Sequence, residues 1–169
     1  KFGRYAFSNQ PPIAKWNLAR LAECLIPLID KNQKTSIKLA TDVIENFEKI
    51  YEDNWLNMMR YKLGLFGQDK NDKKIIKDLF TWMERNKADY TNTFCNLMNL
   101  NSNEVYNDTN FLNWKNIWKK RSQLNNSTKE KQVELMKNNN PLVIPRNHIV
   151  EEALTEADKG NLTKVEKLL

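Results

Sequence analysis

The sequence predicts an all-α protein, a multi-helix domain of about eight helices. Three observations carry that expectation. Apolar residues recur at steps of three and four through nearly the whole chain of 169 residues, which is the period of one helix face. Glycine occurs only 4 times and β-branched runs are few, so little material is left for strands and hairpins. Residues suited to starting and stopping helices punctuate the apolar stretches.

Residues 1–12 read as an extended lead-in ending in Asn9-Gln10-Pro11-Pro12, because proline favours the first helical turn and pushes its predecessor out of the helical region. A helix then spans Ile13 to Ile29. Ala14, Leu18, Leu21, Leu25 and Leu28 share one face, and Ile13, Trp16 and Cys24 widen it. A face that wide predicts a central helix with Trp16 and Leu21 buried.

A long helix is expected from about Thr35 to Leu63, carried by Ile37, Ala40, Ile44, Phe47 and Tyr51 and stopped by Gly64 and Gly67. Ile75, Ile76, Leu79, Phe80 and Met83 mark a third helix, and Asp89-Tyr90-Thr91 opens a short fourth. The polar stretch Asn99 to Asn107 reads as a loop. Phe111, Trp114, Ile117 and Trp118 define a fifth helix with Asp108 or Thr109 as N-cap. Ser127-x-x-Glu130 reads as a capping box opening a sixth. Asn147 is placed to cap a seventh that Gly160 stops, and Leu162, Val165 and Leu168 begin an eighth. Residues 1–169 are taken as one helical domain. Its start at Lys1, without Met, and its end at Leu169, inside a helical pattern, suggest a piece of something longer.

Composition bounds the function classes. Lys and Arg number 27 and Asp and Glu 21, giving a net charge of +6 with the signs interspersed. The longest basic cluster is Lys115, Lys119, Lys120 and Arg121. It reads as the solvated face of a helix that buries Trp114 and Trp118, with a polyanion patch as the alternative. Cys24 and Cys95 share no metal-ligand spacing and read as buried free thiols. No apolar run approaches the ~18 residues of a membrane span. His148 is the sole histidine, so a His-based nucleophile or metal site would need partners distant in sequence. No phosphate-cradling glycine motif and no HExxH pattern is present. Trp16, Trp55, Trp82, Trp114 and Trp118 all fall in apolar helical patterns, which favours core packing over a base-stacking platform.

The unusual segment is Gly3-Arg4-Tyr5-Ala6-Phe7-Ser8-Asn9-Gln10-Pro11. Polar donors on an extended stretch that leads into an apolar helix imply ordered contacts to backbone. Arg4, Asn9 and Gln10 are expected to brace this segment. The alternative is that Arg4 or Tyr5 faces a protein substrate.

This segment, with Ile13-Ala14, Trp16-Asn17-Leu18 and Arg20-Leu21-Ala22-Glu23, closely resembles the GRYxFxNQPxIAxWNLxRLAE block of the SelO (YdiU-type) family. Further blocks follow in the family's order. Met59-Arg60 and Lys62-Leu63-Gly64-Leu65 resemble MRxKLGL, and Asp89-Tyr90-Thr91 with Phe94 resembles DYTxxF. Trp114 and Trp118 resemble a tryptophan pair late in the family's helical region. Asn140-Pro141, Ile144-Pro145-Arg146-Asn147-His148 and Val150-Glu151 resemble NPxxIPRNHxVE.

The resemblance implies the C-lobe of a kinase-like fold plus family-specific helices. It implies a full-length protein that transfers AMP from ATP, with Mg²⁺, to Ser, Thr or Tyr hydroxyls of protein substrates. It puts the family's lysine, glutamate, glycine-rich loop and metal-binding Asn and Asp upstream of the segment matching Gly3. This chain alone is therefore expected to be inactive, with no catalytic, cofactor-binding or metal residues of its own and neither ATP nor Mg²⁺ bound. Many family members carry a redox-active Cys or selenocysteine near the C-terminus, which Cys24 and Cys95 do not match. The expected setting is the cytoplasm of a bacterium, or the mitochondrion if the source is eukaryotic, with no nucleic-acid or membrane partner. The competing readings are a non-enzymatic helical protein-interaction domain using the terminal helix pair, and nucleic-acid binding through the Lys115–Arg121 face.

Overall fold

A computed structural model describes residues 3, 6, 9–124, 127–143 and 146–169. These form helices α1 (Gln10–Ile29), α2 (Gln33–Glu45), α3 (Phe47–Lys62), α4 (Asp72–Asn86), α5 (Tyr90–Leu97), α6 (Thr109–Gln123), α7 (Lys129–Asn139), α8 (Asn147–Asp158) and α9 (Thr163–Leu168), with a 3-10 turn at Glu104–Asn107. No strand occurs among the described residues, and the architecture is the all-α one expected from sequence. The sequence reading takes 1–169 as one domain; within that span the chain clusters into two compact units, Lys1–Arg60 and Tyr61–Leu169.

In the first unit, Pro11 and Pro12 occupy the first turn of α1, where an absent N–H costs nothing. After α1 the chain turns extended at Asp30. Asn32 caps α2, its Oδ1 accepting from the N–H groups of Lys34 (3.0 Å) and Thr35 (3.3 Å). Ser36 is fully buried and its hydroxyl donates to the Asp30 carbonyl at 3.0 Å, which pins the short connection between the two helices.

The single long helix expected from Thr35 to Leu63 is two helices, broken at Asn46. The Asn46 N–H donates to the Ile44 carbonyl, and its own carbonyl accepts from Ile50 N–H at 3.1 Å. Asparagine competes poorly in a helix interior because its amide offers the backbone other partners.

The expectation of a central, buried first helix is overturned. No described residue of α1 is buried; Trp16 is 46% exposed, Leu21 55% and Leu28 80%. A helix apolar around much of its girth needs more than one partner, and in this unit α1 packs along α2. An apolar groove lined by Leu18, Leu21, Leu25, Val43, Ile44 and Phe47 stays open between them. Cys24, expected to be a buried thiol, is exposed on the same helix, whereas Cys95 is buried as expected. Trp55 is half-buried rather than core.

The second unit holds the core. Leu63, Leu65, Ile76, Leu79, Phe94, Phe111 and Met136 are all but inaccessible. Trp82, Phe111, Trp114 and Trp118 form a continuous file of rings with centroid spacings of 4.4, 5.7 and 6.1 Å. Each indole N–H in that file has an acceptor: Trp82 on Asp108 Oδ1 (2.7 Å), Trp114 on the Ile75 carbonyl (2.8 Å) and Trp118 on the Leu63 carbonyl (2.9 Å). Burying tryptophan is favourable when the N–H is so satisfied. Asp108 also caps α6 by accepting from Phe111 N–H at 3.0 Å. The expected loop at 99–107 contains the 3-10 turn, which buries Tyr106 against Trp82 and Phe111.

Arg121 corrects a second expectation. It does not belong to a solvated basic face. It is 5% exposed and donates through Nε to Asp72 Oδ1 (2.7 Å) and through Nη2 to Asp72 Oδ2 (3.2 Å) and the Phe66 carbonyl (3.3 Å). Asp72, wholly buried, also accepts from Asp69 N–H at 2.9 Å. The cap of α7 is Thr128, one residue beyond the expected Ser127. Asn147 is the first residue of α8 rather than its cap, which is Arg146.

Gly64 takes a left-handed φ of +65°, and a Cβ there would lie 2.6 Å from Gln132 Cγ and 2.8 Å from Met136 Cγ. Gly160 has a φ of +85° with open space around it. Gly160→Ala should therefore cost about 1–2 kcal/mol of backbone strain. Gly64→Ala should add overpacking of about 1–3 kcal/mol to that. Urea unfolding of both variants checks the order; equal losses would mean that α7 does not hold Gly64 closely. In this chain Trp16→Ala and Leu21→Ala should each cost less than the ~2–5 kcal/mol of a buried large-to-small change, as read from the shift in thermal midpoint.

Candidate functional site

The N-terminal motif is partly visible. Arg4 and Tyr5 lie outside the described residues. Asn9 precedes α1, yet its side chain does not cap the helix. It reaches back instead, Nδ2 donating to the Gly3 carbonyl at 2.9 Å. Ala6 N–H also donates to the Gly3 carbonyl (3.0 Å), and Asn9 N–H to the Ala6 carbonyl (2.8 Å). Gln10 is the first residue of α1 and is exposed.

A denser arrangement surrounds Lys62, the last residue of α3. Its ammonium donates to the Asn139 carbonyl (2.9 Å) and to Asn140 Oδ1 (3.2 Å). The same ammonium lies 5.6 Å from the ring centroid of Tyr90 and 5.3 Å from that of Phe94, within cation–π range. Asn140 returns the contact, its Nδ2 donating to the carbonyls of Lys62 (2.9 Å) and Met136 (2.7 Å). The next residue, Leu63, offers the carbonyl that Trp118 holds, and Gly64 then passes beneath α7. Lys62-Leu63-Gly64-Leu65, Tyr90 with Phe94, Trp118 and Asn140 are far apart in sequence and meet here. Sequence reasoning found each motif but not their convergence, because a side-chain bond spanning 78 residues leaves no periodic trace.

The electrostatics suit a clamp. Burial lowers the Lys62 pKa below its ordinary value and raises that of Tyr90. The acceptors around the ammonium are neutral carbonyl and amide oxygens and ring faces, which hold a cation without cancelling its charge. His148, the second residue of α8, is exposed. Among the described residues, no group of three or more His, Cys, Asp or Glu could hold a metal ion, and no helix is long and apolar enough to cross a membrane.

Comparison with known proteins fixes the class. The model of the family described as protein adenylyltransferase SelO matches residues 1–169, and the chain belongs to that family. Among its curated relatives is the protein nucleotidyltransferase YdiU of Pelagibacter ubique (strain HTCC1062), 54% identical over 171 residues, a match covering 100% of this chain and 35% of that protein. The protein of the same name from Clostridium perfringens (strain SM101 / Type A) is 44% identical over 169 residues, covering 99% of this chain and 34% of the relative. That of Bacillus thuringiensis (strain Al Hakam) is 45% identical over 170 residues, covering 99% and 35%. The chain thus spans about a third of the length of these relatives.

The lowered pKa of Lys62 has a definite sign. Between the folded value and the ordinary lysine value of 10.5 the unfolded chain binds more protons at this site, so the site's contribution to stability improves as pH rises through that window. After reductive ¹³C-methylation, the Lys62 methyl signal should titrate at lower pH than that of a methylated lysine in a short unstructured peptide. A Lys62 midpoint at or above that of the peptide would contradict the half-buried clamp.

Proposed function

We propose that the full-length protein is an ATP- and Mg²⁺-dependent protein adenylyltransferase of the cytoplasm that places AMP on Ser, Thr or Tyr hydroxyls of protein substrates. Residues 1–169 form part of its helical scaffold. The match of the adenylyltransferase family model along residues 1–169 carries this reading, supported by relatives named protein nucleotidyltransferase. Among the described residues no group of three or more His, Cys, Asp or Glu comes together that could hold Mg²⁺. On this reading the chemistry belongs to the lysine, glutamate, glycine-rich loop and Asn–Asp pair that the resemblance puts upstream of the segment matching Gly3. Asn9 braces that segment from below through its bond to the Gly3 carbonyl, and Arg4 and Gln10 contribute to the same bracing.

Transfer of AMP retains the α-phosphorus of ATP and releases pyrophosphate, whereas phosphoryl transfer retains the γ-phosphorus. Full-length protein with Mg²⁺ should therefore label protein hydroxyls from α-labelled ATP and not from γ-labelled ATP, while the 169-residue chain alone labels nothing. Incorporation of the γ label would make the protein a kinase. No incorporation of either label by the full-length protein would favour a non-enzymatic interaction domain. Metal-dependent labelling by the 169-residue chain would overturn its assignment as scaffold.

A further inference from the structure

A cavity of about 450 Å³ opens beside α6 and α7 in the second unit, in a volume range typical of small-ligand sites. We propose that it binds a small phosphate monoester carrying a flat apolar group, with the phosphate held by Lys115, Lys119 and the side-chain amide of Gln132.

The two helices present matched faces. On α6 the lining residues include Lys115, Trp118, Lys119 and Ser122, with Gln123 beside them; on α7 they are Lys129, Gln132, Val133 and Met136. Both sets follow the i, i+3, i+4, i+7 spacing of a single helix face. Three of the described lining residues are lysines and none is acidic, so the cavity carries positive charge from its own walls. Leu97, Trp118, Val133 and Met136 supply apolar surface for the body of a ligand.

Two observations point to an anion in particular. Lys115 is half-buried, its ammonium at a long 3.5 Å from Asn96 Oδ1 and 5.8 Å from the Phe111 ring centroid, with no carboxylate in contact among the described residues. Its ammonium is disfavoured first by burial and then by the charge of Lys119 one helical turn on. An anion would relieve both. Gln132 Nε2 is buried without a hydrogen-bond partner among the described residues. Its side chain lies over Gly64, whose added Cβ would meet Gln132 Cγ at 2.6 Å, so the amide has little freedom to seek water. An oxygen-rich ligand would supply the acceptor this donor lacks. Lys129 contributes less, since the Glu130 carboxylate feels its charge.

The geometry favours a small ligand over a nucleic-acid strand. The basic run Lys115, Lys119, Lys120, Arg121 does not form a continuous stripe, because Arg121 is turned inward onto Asp72. A phosphate backbone needs an extended row of cations, and the cavity offers a local one.

Phenyl phosphate, inorganic phosphate and phenol are suitable probes, each titrated into the ¹⁵N-labelled chain. Phenyl phosphate should shift the amide signals of residues 115–119 and 129–133 to saturation. Inorganic phosphate should shift the same signals more weakly, and phenol should bind more weakly still. Lys119→Glu should weaken phenyl phosphate at least about tenfold, and Lys119→Arg should stay within about threefold of the original. Gln132→Leu removes an unsatisfied buried donor at similar volume. It should leave the thermal midpoint unchanged or higher while weakening phenyl phosphate several-fold, a split that a purely structural glutamine would not give. Non-saturating shifts spread over all surface lysines, affinity indifferent to Lys119→Glu, or phenol binding as tightly as phenyl phosphate would each overturn the proposal. Tighter, strongly salt-dependent binding of a single-stranded oligonucleotide at the same residues would replace it with a nucleic-acid surface.

Discussion

The second unit depends on the turn that leaves α3. Within Lys62-Leu63-Gly64, the Lys62 ammonium is taken by the end of α7, the Lys62 carbonyl by Asn140, and the Leu63 carbonyl by Trp118. Gly64 then slips under Gln132 and Met136 with no room for a side chain. Each contact satisfies a backbone or charged group that would otherwise be buried unpaired, and an unpaired group costs more than its bond contributes. The left-handed φ at Gly64 lets a helix terminus sit this close to another helix. Lys62 thereby joins α3, α5 and α7, and Trp118 brings in α6.

The Asp72–Arg121 pair supports the same region from the other side. Both groups are buried, and their polar contacts include each other, the Asp69 N–H and the Phe66 carbonyl. A buried ion pair is weak evidence for net stability, since desolvation offsets most of the attraction. Its value here is directional. A guanidinium that reaches both the Asp72 carboxylate and the Phe66 carbonyl fixes how α6 meets the start of α4. The tryptophan file makes the opposite kind of contribution, with large apolar area and little directional demand beyond one acceptor per indole.

Periodicity made most of the fold legible from sequence. The starts of α5 and α6 follow from Asp89 and Asp108, and the stop at Gly64 from its place after an apolar run; α1 begins at Gln10, three residues before the expected Ile13, because Pro11 and Pro12 sit inside its first turn rather than ahead of it. What failed did so for identifiable reasons. A wide apolar face on α1 was read as central burial, but a pattern reports how much surface wants covering and not which partners are present. Arg121 was read as solvated because its charge matched its neighbours, and nothing in the local sequence announces a partner 49 residues earlier. Tyr106 was lost in a polar stretch whose asparagines suggested a plain loop. Of the candidate site, Asn9 belongs to the motif singled out from sequence, and its contact to Gly3 lies beyond what sequence could specify. The family blocks were legible one by one; their meeting at Lys62 was not.

The long reach of the Lys62–Asn140 contact has a kinetic side. The two residues are 78 apart in the chain, while the bond that closes the α1–α2 connection spans only 6. Closing a long loop costs more entropy than closing a short one, and that cost is met before the distant contact yields anything in return. The α1–α2 hairpin can therefore form as soon as its own residues leave the ribosome. The core around Trp114 and Trp118 stays unlatched until the segment carrying Asn140 has also emerged. During that interval the indole bonds to Ile75 and Leu63 can already form, but the Lys62 ammonium lacks the acceptors of Asn139 and Asn140, so the nascent chain spends a stretch of its synthesis with this turn incompletely covered.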